Sequence, residues 1–316
     1  MINADKPQRW RADVEASVHL YNTWFLNAAP DAYRGTRLKT IENVATAFSH
    51  TGQMLDITAE TLARHPEILP TLRMCTAPPI ARDRLTGLSY VPKTFVDKID
   101  KTGALPPRTS HPNALVFLSR MCGTIVDLLD VDLMAWVPEG RGPAGSELEL
   151  ATTVVADRLC GSFADPIIRN AQEQRQLALI KSWLEARGYK MQAHPARTPL
   201  TDMAPGTFSF RMNVVVGTER KVNIPVDAVI QPHQPRPHRL PLLIEAKSAG
   251  DFTNTNKRRK EEAQKARQLL ETYGSDIELL LFLCGYFDAG YLGYEAAEGI
   301  DWVWEHRIDD LEQAGV

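Results

Sequence analysis

The chain has 316 residues, 44% of them hydrophobic, and a formal net charge of −3 at pH 7. This length suffices for one large core or two smaller ones, and the nearly balanced charge means that any nucleic-acid-binding surface must be local. The four cysteines form no CxxC pair, and we expect reduced core residues of a cytoplasmic protein rather than zinc ligands. Charged residues interrupt the most apolar window, residues 114–137, and the N-terminus has no signal-peptide pattern, so we expect no membrane association.

Helical patterns dominate the first 150 residues. Apolar periodicity predicts helices over residues 14–28, 40–55 and 58–72, the third with Thr58 as its N-cap. Residues 138–146, which read PEGRGPAGS, have the composition of a linker. We therefore predict an α-rich N-terminal region over residues 1–145 and a second domain over residues 146–316.

A long helix is predicted from residue 165, with a proline in its first turn, to about residue 188. On its helical wheel Glu173 shares the face of an apolar stripe formed by Leu177, Ile180 and Leu184. A carboxylate at the head of this stripe indicates either a metal site or an ion pair with Arg169 one turn earlier. The residues alone leave both interpretations open.

Three apolar strands are predicted after this helix, over residues 207–216, 222–230 and 242–247, with a hairpin joining the first two. A further helix from residue 257 to 273 and a buried strand over residues 277–283 follow. The acidic tail with Trp302 and Trp304 is predicted to pack on the surface of the core. The implied order is helix, three strands, helix, strand.

Charged residues interrupt two of these strands. Asp227 lies in the second, and Glu245 and Lys247 lie in the third, where alternation places both on one face. An unpaired buried ion costs on the order of several kcal/mol, so the three charges require a partner. Mg²⁺, which is usually held by one or two carboxylates, suits Asp227 and Glu245. A lysine beside the metal can orient or activate water, which predicts phosphodiester hydrolysis. The alternative is a surface salt bridge of Glu245, with Asp227 closing a turn.

Two basic segments adjoin these charges. The bend over residues 231–241 contains Arg236 and Arg239 and no acidic residue, which predicts phosphate contacts; a solvated proline loop on the far edge is the alternative. The next helix opens with four cations, an arrangement that the helix dipole disfavours unless an anion such as phosphate binds there. A solvated face neutralised by the two following glutamates is the alternative. The four cations are Lys257, Arg258, Arg259 and Lys260.

The spacing of Asp227, Glu245 and Lys247 resembles the PD-(D/E)xK nuclease signature, with valine before the aspartate. Longer stretches resemble the XamI-like type II restriction endonucleases: WRADVEASVHLYNTWF at residues 10–25, ADPIIRNAQEQRQ at 164–176 and EAKSAGDFTNTNKRRKEEAQK at 245–265. The resemblance implies an α/β fold, in which a PD-(D/E)xK core with a mixed central sheet flanked by helices follows the α-rich N-terminal region.

The resemblance also implies site residues. Asp227, Glu245 and the backbone carbonyl of Ala246 would hold Mg²⁺, Lys247 would position the water, and Glu173 would be an accessory acidic residue. Beside the basic side chains, Asn254 and Asn256 are the nearest polar groups for contacting DNA.

We therefore predict a Mg²⁺-dependent type II restriction endonuclease that cuts double-stranded DNA at a short palindromic site. A palindrome favours a homodimer, and the N-terminal region would supply DNA recognition, dimerisation or both. The resemblance further implies a DNA methyltransferase in the same host. The sequence has no GxxxxGK(S/T) motif, so NTP-driven translocation loses its usual support. The alternatives are a structure-specific repair nuclease of the same fold and a catalytically inactive DNA-binding protein.

Overall fold

The computed structural model describes residues 1–193, 199–217, 220–235, 237–253 and 255–316, and for residues 255–258 it describes the backbone alone. The chain divides into two compact units, one of residues 1–28 and 169–316, the other of residues 29–168. The first contains a mixed β-sheet with helices, and the second is helical.

The helices of the N-terminal half follow the predicted character but not all the predicted limits. They are α1 (Pro7–His50), α2 (Ala59–Arg64), α3 (Leu69–Met74), α4 (Arg82–Ser89), α5 (Lys93–Thr102), α6 (His111–Asp127) and α7 (Gly145–Ala186). The hydroxyl of Thr58 accepts a hydrogen bond from the Thr61 amide at 3.2 Å, which confirms the predicted cap of α2. The helix predicted to continue to residue 72 is interrupted at Pro66 by a 3₁₀ turn, because proline donates no backbone hydrogen bond and clashes with the preceding turn.

The predicted start of α7 at residue 165 is wrong. The helix begins at Gly145 and continues through Pro166. Its early part buries Ala151, Val155 and Leu159 in the core of the helical unit, and this burial offsets the cost of an internal proline, about 3 kcal/mol. The two compact units divide within α1 and α7, and not at residue 145.

The sheet contains six strands within the described ranges, in the order of the sequence. They are β1 (Lys190–Met191), β2 (Thr207–Val216), β3 (Val222–Gln231), β4 (Leu242–Ala249), β5 (Glu278–Gly285) and β6 (Asp301–Trp304). Helix α8 (Thr255–Tyr273) connects β4 to β5, and α9 (Ala289–Ala297) connects β5 to β6. The remaining short helices are 3₁₀ turns at Leu200–Asp202, Gly274–Asp276 and Glu305–Ala314.

The strand pairing is mixed. β2 and β3 form the predicted antiparallel hairpin, and β4 is antiparallel to β3 and parallel to β5. β6 adds in parallel beyond β5, and β1 pairs in parallel with β2 at the other edge. Parallel neighbours need a crossover connection, which α8 and α9 supply.

The predicted surface position of the C-terminal tryptophans is wrong, because they lie in β6. Trp302 and Trp304 are both 0% exposed and pack with Leu281 and Leu283 on one face of the sheet, while Val303 packs on the other face with Phe282. This alternation is that of a strand buried on both sides.

Helices cover both faces of the sheet. The apolar stripe of α7 packs on one face against residues of β2, β3, β4 and β5, while α8 and α9 contribute to the cores of the other face. None of the helices in the described part of the chain combines the length and the apolarity needed to cross a membrane.

Candidate active site

The predicted triad lies where β3 and β4 stop pairing. The two strands pair over three positions, from Ile230 with Leu242 to Ala228 with Ile244. Asp227 and Glu245 are the next residues on each strand, so they leave the pairing side by side. We call the gap between residues 225–227 of β3 and residues 245–247 of β4 the strand fork.

Asp227 binds across the strand fork. Its Oδ2 accepts a hydrogen bond of 2.9 Å from the backbone N–H of Ala246, a group that would otherwise pair with a neighbouring strand. Burial raises the pKa of Asp227, and the negative charge of Glu245 raises it further, to about 6, although Lys247 and the Ala246 N–H act in the opposite direction. When no metal is bound, burial and the charge of Glu245 therefore disfavour the ionised form of Asp227 more than Lys247 and the Ala246 N–H favour it.

Glu245 is a buried charge of the site. It is 4% exposed, which excludes the surface salt bridge considered from the sequence. The ammonium group of Lys247 donates to its Oε2 at 3.1 Å. Its Oε1 accepts from Lys265 of α8, whose ammonium group also donates to the backbone carbonyl of Pro225. Both carboxylate oxygens of Glu245 are thus bound by lysines.

Lys247 is a stronger base in this setting than in water. Burial alone acts to lower the pKa of Lys247, but the negative charge of Glu245, that of Glu262 and the hydrogen bond to Glu245 raise it above its ordinary value. In the metal-free site Lys247 is therefore a charged hydrogen-bond donor, which suits the positioning of a water or phosphate oxygen better than proton abstraction.

A shallow cleft of about 210 Å³ opens beside Lys247. Its lining includes Glu173 of α7, and Glu173 is also one of the charges that raise the pKa of Asp227. Oε1 of Glu173 pairs with Arg211 of β2 at 2.8 Å, rather than with Arg169, the partner considered from the sequence. The other lining residues are Arg169, Gln176, Ala246, Ser248, Glu261 and Glu262.

This donor set fits a hard divalent cation. Asp227 and Glu245 offer carboxylate oxygens from adjacent strands, and the backbone of Ala246 lies between the two acidic side chains. Oxygen ligands of this kind suit Mg²⁺. Burial and the charge of Glu245 raise the pKa of Asp227, and two lysines bind Glu245, so added positive charge would stabilise the two carboxylates.

The predicted DNA-binding residues are only partly accounted for by the described structure. Arg236 and Asn254 lie outside the described residues, as do the side chains of Asn256, Lys257 and Arg258. Arg239 donates to the Ser275 carbonyl at 3.2 Å, beyond the C-terminal end of α8, so the structure does not bring it to the cleft.

Two of the predicted basic residues are described on α8. The guanidinium of Arg259 lies 5.0 Å from the ring centre of Tyr294 on α9, and Lys260 is exposed. Both lie on α8 directly before Glu261 and Glu262, which line the cleft.

Sequence reasoning missed Lys265 and the acidic pair behind it. Tyr291 Oη donates to Oε2 of Glu262 at 2.5 Å. Burial raises the pKa of Glu295, and the charge of Glu262 together with a hydrogen bond to it raises the value to about 9, so Glu295 is protonated at neutral pH. The three-residue spacing of Glu262 and Lys265 places both near one face of α8, but the sequence does not show which face packs on the sheet.

A second set of metal-ligating atoms lies in the helical unit. Among the described residues, His50, His65 and Glu67 bring such atoms within 4.8 Å of one another. The two imidazole rings stack at 3.6 Å with 9° between their planes, and His65 Nδ1 lies 3.4 Å from the Glu67 carboxylate. Because the in-plane lone pairs of parallel rings run side by side, this geometry is that of a stacked pair rather than a formed metal centre. The cysteines that the structure describes are free and buried, as predicted.

Comparisons with known proteins identify the family of the chain. The family description of the XamI restriction endonuclease matches residues 52–304. The chain is also 64% identical over 315 residues to the type II restriction enzyme SalI of Streptomyces albus G, and the match covers 100% of both chains. No solved structure matches the chain. The resemblance to the XamI-like restriction endonucleases is therefore confirmed, and the chain belongs to the XamI restriction endonuclease family.

Proposed function

We propose that this chain is a Mg²⁺-dependent type II restriction endonuclease with a PD-(D/E)xK catalytic core, which hydrolyses phosphodiester bonds at a short palindromic site in double-stranded DNA. Family membership supports the reaction class. The observation that carries the assignment of the site is the position of Asp227 and Glu245, side by side where β3 and β4 diverge, with Lys247 on Glu245.

The proposed roles follow from the contacts. Asp227, Glu245 and the carbonyl of Ala246 hold Mg²⁺, which supplies positive charge for the phosphate oxygens and lowers the pKa of a bound water. Lys247 donates hydrogen bonds from the wall of the cleft and orients the attacking water or a phosphate oxygen. Glu173 borders the same cleft and contributes a further acidic group.

DNA is proposed to approach along the cleft from the N-terminal half of α8. Arg259 and Lys260 lie one to three residues before the glutamates that line the cleft, Glu261 and Glu262. The N-terminal N–H groups of a helix attract phosphate, so the predicted cations Lys257 and Arg258 would add to an anion-binding site that the backbone already provides. Residues 1–145 are proposed to contribute base recognition, dimerisation or both.

A homodimer and a methyltransferase complete the proposal. A palindromic site presents the same bases to two protein copies related by a two-fold axis, which favours a dimer. A host that contains such an enzyme must protect its own copies of the site, so we propose a cognate DNA methyltransferase in the same host.

The test is digestion of plasmid and phage lambda DNA with Mg²⁺. We expect discrete bands of constant size, no cutting in EDTA, and loss of the bands in Glu245→Gln. Lys181→Met, which removes an exposed lysine of α7, is the matched control and should give the wild-type pattern. A smear would indicate a nuclease without sequence specificity, such as a repair enzyme. DNA binding that is unaffected by Mg²⁺, without cleavage, would indicate an inactive binding protein.

A further inference from the structure

The ammonium group of Lys265 lies in the strand fork, where it contacts both β3 and β4. Its ammonium group donates to Oε1 of Glu245 on β4 and to the carbonyl oxygen of Pro225 on β3. Lys265 is partly buried, with 17% of its side chain exposed. A metal ion held by Asp227 and Glu245 also has to contact both strands.

The partner of Lys265 on β3 is a carbonyl that lies beyond the last residue pair of β3 and β4. If the pairing of Ala228 with Ile244 continued, Pro225 would stand opposite Lys247. The strands diverge before that point, and Lys265 donates to the Pro225 carbonyl there. The side chain of Lys265 thus links β3 to β4 where the two strands no longer pair.

Charge compensation explains why this lysine is needed in the metal-free protein. Glu245 is 4% exposed and adjoins the second carboxylate of Asp227. A buried carboxylate without a counter-charge is strongly destabilising, and Lys247 alone leaves one negative charge of the pair without a partner. Lys265 supplies the missing positive charge.

We infer that Lys265 is an exchangeable counter-ion that holds Glu245 when no metal is bound and releases it when a divalent cation binds. This inference rests on the proposed metal site. Lys247 sits two residues from Glu245 on the same strand and stays beside it, whereas Lys265 reaches in from α8 on a flexible four-carbon chain. Metal affinity in the free enzyme is then set by a competition between Lys265 and the ion.

If Lys265 competes with the metal, removal of Lys265 should raise the affinity for a divalent cation. Removal of a purely structural lysine should not. Lys265→Met removes the competitor and leaves the carboxylates under-neutralised, so it should bind a divalent cation more tightly, by on the order of tenfold or more. It should also melt at a lower temperature without metal and recover more than the wild type when metal is added. A structural lysine would lower the melting temperature equally with and without metal.

The test is Mn²⁺ binding to the DNA-free protein by isothermal titration calorimetry, together with melting temperatures in EDTA and in Mn²⁺. Lys265→Arg keeps the charge and should bind Mn²⁺ no more tightly than the wild type. Lys181→Met is the matched control for loss of one positive charge and should leave Mn²⁺ affinity unchanged. If Lys265→Met does not fold, Lys265→Gln, whose amide can still donate to the Pro225 carbonyl, gives the same comparison.

The outcomes separate this inference from the proposed function. Equal or weaker Mn²⁺ binding by Lys265→Met, when Asp227→Asn has lost the binding, overturns the inference and leaves the metal site in place. Equal binding by the wild type and Asp227→Asn would show that the proposed metal site is wrong, and the inference falls with it.

Discussion

Asp227→Asn is expected to stabilise the metal-free protein while it abolishes cleavage. The pKa of Asp227 is raised by burial and by Glu245, from 3.8 to about 6. A carboxyl group whose folded-state pKa is raised favours the fold while it is protonated, and this contribution is lost as the pH rises through about 6. At pH 8 the ionised Asp227 therefore destabilises the metal-free fold, and asparagine removes that cost.

The magnitude follows from the size of the shift. A shift of about 2 pKa units corresponds to roughly 3 kcal/mol as an upper limit. Partial exposure of Asp227 reduces this to about 1–2 kcal/mol, or several degrees in melting temperature for a chain of this size. Asparagine keeps an oxygen that accepts from the Ala246 N–H, so the backbone contact is retained.

Melting curves in EDTA at pH 5 and pH 8, with single-turnover cleavage in Mg²⁺, measure both effects. We expect a higher melting temperature than wild type at pH 8, a smaller gain at pH 5, and cleavage slowed by on the order of 10³-fold or more. Asp202→Asn, in an exposed 3₁₀ turn, is the matched control and should change neither quantity. Destabilisation at pH 8 with normal cleavage would refute the reasoning.

Three further changes test the surroundings of the site. Glu173→Gln should slow cleavage roughly 10- to 100-fold without altering metal-free stability. Unchanged cleavage would show that Glu173 only forms an ion pair with Arg211 and takes no part in the reaction. Glu295→Gln should flatten the loss of wild-type melting temperature between pH 8 and pH 10, because the contribution of protonated Glu295 is lost as the pH rises through about 9; an unaltered pH profile would contradict the raised pKa of Glu295. Arg175→Met leaves the buried carboxylate of Glu305, 2.6 Å from Arg175, without this partner and should lower the free energy of unfolding in urea by about 3 kcal/mol; a loss below about 1 kcal/mol would show that Glu305 finds another partner.

The strands and the pairing of Asp227 with Glu245 could be predicted from the sequence, because apolar runs bounded by turns determine both. The limits of β2 were predicted at the residues the structure gives, and those of β3 and β4 within one or two residues. Once the hairpin and the next strand are in register, Asp227 must lie beside Glu245. Local pattern was therefore enough to place two charges from different strands together.

The contact of Lys265 with Glu245 could not be predicted from the sequence, because it depends on how α8 packs on the sheet. It lies in a polar stretch, KEEAQK, where a charged residue needs no explanation. Only the packed helix shows that this lysine points to Glu245 while its neighbour Glu262 contacts Tyr291. Tertiary packing, which sequence periodicity does not encode, decides such contacts.

The wrong boundaries have a similar origin. A proline near the expected start of α7 is the usual signal for a first turn, and burial of the preceding turns overrides it. The short β6 was missed because four residues rich in tryptophan carry little periodic signal, although its alternate side chains fill two cores.

The most direct test of the metal site is anomalous scattering from Mn²⁺ in crystals of this protein. We expect a peak in contact with the carboxylates of Asp227 and Glu245, and no peak there in Glu245→Gln crystals. Bound Mn²⁺ confined to other acidic groups, or to His50 and His65, with none in the strand fork, would contradict the account.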